Sequence, residues 1–117
     1  MSKIASNSDK KKQLAFFEKI SGIDNNLYQA GIESKFTEPK QKEEFKKYRL
    51  EWTSCVNTVR NNLASVLVNE LEKNEEGFEK GIEEINQEIQ KINDTVGFLN
   101  FIGEMIKTVK KIVRLGI

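Results

Sequence analysis

Apolar residues spaced three and four apart run through almost the whole chain, and that spacing is what most constrains its fold. Phe16, Ile20, Ile23, Leu27 and Ala30 step by four, three, four and three, and Leu14, Phe17, Tyr28 and Ile32 widen the stripe. Such a stripe is the buried face of an amphipathic helix. The first helix is expected over about 9–35, with Ser8 as its N-cap and Gly22 tolerated inside it at a cost of ~1 kcal/mol. Pro39, the only proline, follows Thr37 and Glu38. Proline disfavours helix in the residue before it and suits the first helical position, so the first helix should stop near Lys35 and the next begin at Glu38 or Pro39.

The second stripe reads Phe45, Tyr48, Trp52, Cys55, Val56, Val59, Leu63, Val66, Leu67 and Leu71. The third reads Phe78, Ile82, Ile85, Ile89, Ile92, Val96, Leu99, Ile102, Ile106, Val109, Val113 and Ile117, and is the most regular. Leu71 and Phe78 are seven apart, so the phase survives the junction. One unbroken helix from Pro39 would be roughly 120 Å long and stable only by pairing with other chains. A turn at Lys73–Gly77 instead buries the stripe within one molecule, with Asn74 as cap and Glu75 and Glu76 suiting a helix start. The expectation is an all-α fold, an antiparallel bundle of three long helices at about 9–35, 38–72 and 75–116. A break near 94–97, capped by Asp94 or Thr95, would make it a four-helix bundle. Residues 1–8 are expected to be a flexible lead and 9–117 a single domain.

Composition removes most catalytic classes. The 117 residues suffice for one core. There is no histidine, which removes imidazole acid–base catalysis, histidine-dependent nucleophiles and imidazole metal sites. Cys55 is the lone cysteine and allows no intrachain disulfide; it lies on the apolar stripe and reads as a small hydrophobe. Glu84 and Glu88 share a helix face as carboxylates do in di-iron bundles, but the Glu-x-x-His partners are missing, so they read as a solvated acidic face. Gly77 and Gly81 make a G-x-x-x-G spacing among charges, a coincidence or the close approach of a neighbouring helix. No phosphate-loop, nucleophile-elbow or C-x-x-C motif is present, and no cofactor is expected.

The net charge of +1 conceals segregation. Residues 70–94 carry nine acids and three lysines, whereas 95–117 carry four cations and one acid. Short, interleaved lysine clusters and a pI near 7.8 argue against nucleic acid as a partner. The start, MSKIASNSDKKK, has no apolar stretch of signal-peptide length, so the chain is expected to be cytoplasmic when synthesised and to reach a membrane only after a trigger.

The segment 96–117 exceeds what one core stripe needs. Phe98, Phe101, Met105 and Ile112 add a second apolar row, and Lys107, Lys110, Lys111 and Arg114 occupy the narrow remaining face. These eight residues are the candidate membrane- or partner-facing set. A wide apolar arc with a cationic edge fits an interfacial membrane helix, and equally a central bundle helix touching two neighbours. The sequence therefore leads to a non-enzymatic bundle whose last helix acts at an anionic membrane, as in pore-forming or permeabilising effectors. The alternative is a protein-interaction module, such as an adaptor, regulator or immunity-type inhibitor, that self-associates or donates a helix to a partner.

Overall fold

Four helices account for the repeating spacing: α1 (Asn7–Leu27), α2 (Pro39–Asn61), α3 (Val68–Gln90) and α4 (Thr95–Ile112). Short 3-10 turns lie at Glu33–Lys35 and Leu63–Ser65. The computed structural model describes residues 7–29 and 31–114. Expectations for Ala30, Ile117 and residues 1–6 fall outside the described residues. The all-α bundle is present, in its four-helix form.

Each boundary has a local cause, and several differ from those read off the sequence. Pro39 opens α2 at its first turn, as expected. Helix α1 is already helical at Asn7, so Ser8 is inside it instead of capping it. It ends at Leu27, not Lys35: the Tyr28 and Gln29 amides turn back to the Asn25 and Asn26 carbonyls, and Gly31 beyond them adopts φ +93°, a left-handed conformation open mainly to glycine. Ile32 and Phe36 belong to the connection that follows and fold back under the bundle, where Phe36 stacks on Phe45 with ring centroids 4.5 Å apart. Arg49 locks this corner. It donates to the Leu27 carbonyl and to Glu33 at 3.0 Å, with the Tyr28 ring 4.4 Å from its guanidinium carbon.

The expected turn at Lys73–Gly77 is helical; the chain turns ten residues earlier. Asn62 leaves helical geometry at φ −151° and its side chain accepts from the Ala64 amide at 3.1 Å. That local bond competes with helix continuation. The connection at 62–67 then crosses the end of the bundle. Val66 pairs with Val113 as an antiparallel bridge, through bonds from Leu67 N to Ile112 O at 2.8 Å and from Arg114 N to Ser65 O at 2.7 Å. Gln13, itself buried, donates to the Val66 carbonyl at 3.1 Å. The expected third helix is two: α3 stops at Gln90, and α4 stops at Ile112, well short of 116.

Helix α1 packs on α2 and α3, and α4 packs on the same two, so α1 and α4 occupy opposite corners of a square. Consecutive helices run antiparallel: Trp52 Nε1 bonds the Ile20 carbonyl at 2.8 Å while Arg49 reaches Leu27. Lateral neighbours run parallel. Lys12 pairs with Glu72 at 2.9 Å, Lys19 with Glu79 at 2.5 Å, and Asn26 with Asn86 at 2.9 Å, a ladder in steps of seven along both helices. Glu51 with Lys110 and Gln41 with Thr95 show the same sense for α2 and α4. The seven-residue phase is thus satisfied between helices of one chain. Its core runs from Phe16, Ile20 and Leu27 through Trp52 and Val56 to Phe78, Ile85 and Ile102.

Candidate functional site

Helix α4 is built to be enclosed. Asp94 caps it, its Oδ1 accepting from the Gly97 amide at 2.9 Å. A Cβ at Gly97 would stand 2.4 Å from that carboxylate, so glycine is what lets the cap close. On one side Gly81 of α3 brings the backbones together, since a Cβ there would fall 2.0 Å from Met105 Sδ. On the other, Gly103 admits Tyr48 of α2, whose Oη donates to Glu44 at 3.1 Å. Burial, and then that bond, pushes the Tyr48 phenol above its ordinary range.

Of the candidate apolar residues, Phe98, Met105 and Ile112 are 2%, 5% and 0% exposed, covered by the chain's own helices. Phe101 alone is half-buried. The wide arc is that of a corner helix touching two neighbours. The four cations remain outside. Lys107 lies 3.3 Å from Glu104 and Lys110 3.4 Å from Glu51, both weakly held surface pairs. Lys111 and Arg114 are exposed and make no side-chain ion pair among the described residues.

Phe101 opens into a cleft of about 380 Å³ between α3 and α4, lined by Glu84, Glu88, Asp94, Gly97 and Phe98 as well. Asp94 is engaged in the cap, but Glu84 and Glu88 stand exposed on the rim, four residues apart and without an ion pair among the described residues. Like charges at this spacing mildly destabilise a helix. The combination of an aromatic floor and an uncompensated acidic rim suits a cationic side chain with an apolar stem. Sequence reasoning assigned Glu84 and Glu88 to a solvated face; their spacing was visible, but not the cleft, because the α3–α4 register is a tertiary property. A smaller cleft of about 110 Å³ lies between α1 and α3, and Lys12, Lys19, Glu75 and Glu79 are among its lining residues.

Elsewhere the chemistry is sparse. Cys55 is buried, and burial pushes its thiol above the ordinary range, the opposite of an activated nucleophile. Among the described residues no group of three or more acids or cysteines is gathered closely enough to hold a metal ion. No helix among them is long and apolar enough to cross a membrane. A comparison with protein-family models, with curated proteins and with solved structures finds no match.

Proposed function

We propose that the protein is a non-enzymatic interaction module that works as an intact bundle and binds a protein partner through its α3–α4 face. One observation carries this reading: a half-buried Phe101 on the floor of a cleft whose rim carboxylates, Glu84 and Glu88, lack ion-pair partners. Half-exposed aromatics in such clefts act as anchors for partners. The test is photo-crosslinking in intact cells with a benzophenone amino acid at position 101 and, as controls, at the exposed Leu50 and Tyr28. A discrete protein adduct at 101 and none at 50 or 28 is expected; no adduct at 101 would overturn the reading.

The membrane reading has one supporting observation, the exposed Lys111 and Arg114 at the end of the most apolar helix. It requires α4 to leave the bundle. Seven α4 side chains are buried, and exposing them forfeits roughly 10–20 kcal/mol, comparable to the whole net stability of an ordinary domain. Membrane action of this kind therefore starts from the unfolded chain or needs the bilayer to repay that sum. Dye release from anionic vesicles, by the full chain and by a form ending at Asp94, separates the two readings. Leakage by the full chain alone favours membrane action, and absence of leakage under low pH or proteolysis removes it.

A further inference from the structure

We infer that the α3–α4 cleft receives a lysine or arginine side chain of the protein partner, its stem lying on Phe101 and its charge between Glu84 and Glu88. This rests on the interaction-module reading and names the chemistry of the partner.

The opposite flank of α3 shows what the cleft lacks. There α1 supplies cations to the acids of α3: Lys12 meets Glu72 at 2.9 Å and Lys19 meets Glu79, beside a floor where the Phe16 and Phe78 rings lie 4.8 Å apart. The flank toward α4 has the acids and the aromatic floor without the cations. Glu84, Glu88 and Asp94 line the cleft with Phe98 and Phe101, and none of these carboxylates has an ion-pair partner among the described residues. The lysines nearest in sequence do not fill the place. Lys80 pairs with Glu76 at 3.6 Å, and Lys91 is exposed and makes no ion pair among the described residues. The lysines of α4 are turned elsewhere, Lys110 to Glu51 of α2 and Lys107 to Glu104 of its own helix.

Local electrostatics make the same demand independently. Glu84 and Glu88 are four apart on one helix, a mildly repulsive spacing. Glu88 also stands in the last turn of α3, which contains no basic residue. The helix dipole favours a cation there and disfavours a carboxylate. A positive charge held between the two glutamates relieves both costs.

Floor and charges also coincide in height. Counting 1.5 Å per residue from the contact of Gly81 with Met105, Glu84 and Phe101 stand at about 4.5 and about 6 Å, and Glu88 and Gly97 at about 10.5 and about 12 Å. Each acid therefore faces an aromatic or open stretch of α4. The volume of about 380 Å³ is near the lower end for ligand clefts and suits a side chain, not a helix. Half-buried Phe101 leaves ring surface for an aliphatic stem or a guanidinium plane. A metal ion is a poor occupant, because no three acids or cysteines among the described residues are gathered closely enough to ligate one.

The test is a proton–nitrogen correlation NMR titration of the full chain with acetyl-Gly-Arg-Gly-amide, its lysine counterpart and its uncharged citrulline counterpart. The arginine and lysine peptides should shift the amides of Glu84, Glu88, Gly97 and Phe101 saturably. They should leave those of Glu72 and Glu79, whose carboxylates are already paired. The citrulline peptide should give no saturable shift, and molar salt should weaken the other two. E84Q/E88Q should weaken binding at least about tenfold. Both residues are exposed and their mutual repulsion is removed, so this variant should melt no lower than wild type. Citrulline binding as tight as arginine, shifts spread equally over Glu72 and Glu79, binding unchanged in E84Q/E88Q, or no saturable shift with any peptide would each overturn the inference. Failure here is distinct from failure of the broader reading. A position-101 adduct that forms equally in the E84Q/E88Q background sinks the cationic anchor and leaves the interaction module standing, whereas no adduct in either background sinks both.

Discussion

Gly77 and Gly81 lie one turn apart on α3, and replacing each by alanine tests the α3–α4 approach. Both substitutions gain helix propensity, about 1 kcal/mol each. At Gly77 nothing lies within 4 Å of the new methyl, so the gain is retained. At Gly81 the methyl would sit 2.0 Å from Met105 Sδ and 2.5 Å from its Cε. Ordinary contact begins near 3.5 Å, so the sulfur must move by about 1.5 Å inside a packed site. Methionine is adaptable, but overpacking of this kind costs about 1–3 kcal/mol. G81A should therefore be about 0–2 kcal/mol less stable than wild type and about 1–3 kcal/mol below what its own propensity would give. Urea unfolding followed by far-UV circular dichroism, with unchanged m values, measures both. On a Met105→Ala background, itself destabilised by about 2–5 kcal/mol, G81A should become stabilising as the methyl enters vacated space. A G81A gain equal to that of G77A, or a G81A cost that persists without Met105, would refute the close approach.

Asp94→Ala should cost about 1 kcal/mol through loss of the α4 cap, and Asp94→Asn should cost little because asparagine caps as well; thermal melting compares them. Arg49→Lys should destabilise by about 2 kcal/mol, because an ammonium cannot satisfy the Leu27 carbonyl and Glu33 while stacked on Tyr28; urea titration measures it. Cys55 contributes a pH dependence of definite sign. Burial raises its folded-state pKa above the unfolded value, so the folded state binds the thiol proton more tightly. That stability is complete below about pH 9.0 and declines as pH rises from there toward the folded value. Unfolding measured below and above that pH should show a steeper loss in wild type than in Cys55→Ala.

The helical stripes were legible because the buried faces of α1, α2, α3 and α4 obey the same three-and-four spacing that the sequence displays. Pro39 and Asp94 were legible for a related reason, since their effect on a helix start is local. The turn at 62–67 was hidden by burial of the turn itself. Leu63, Val66 and Leu67 keep the apolar phase of α2 while lying in a connection, and Val66 is in the core. Lys73–Gly77 carried turn residues that the helix absorbs: Asn74 bonds back to the Glu70 carbonyl at 2.8 Å, and Gly77 faces open space. Leu14 and Tyr28 share the spacing of the first stripe but are each 48% exposed; Tyr28 stands beyond the end of α1, where its ring packs on the Arg49 guanidinium. For the candidate site, the cationic edge of α4 was readable, but the cover over Phe98, Met105 and Ile112 was not. Which helix shields which arc depends on the square order of the four, and that order leaves no mark in a single stripe.

Helix α4 packs on α2 and α3 as a corner of the bundle, and it should open only when the whole bundle unfolds. Native-state hydrogen exchange of the α4 amides from Leu99 to Val109 tests it most directly. Opening free energies for these amides should equal those of the α2 and α3 cores and that of global unfolding from urea titration. Exchange of α4 as a separate unit, several kcal/mol below the rest, would contradict it.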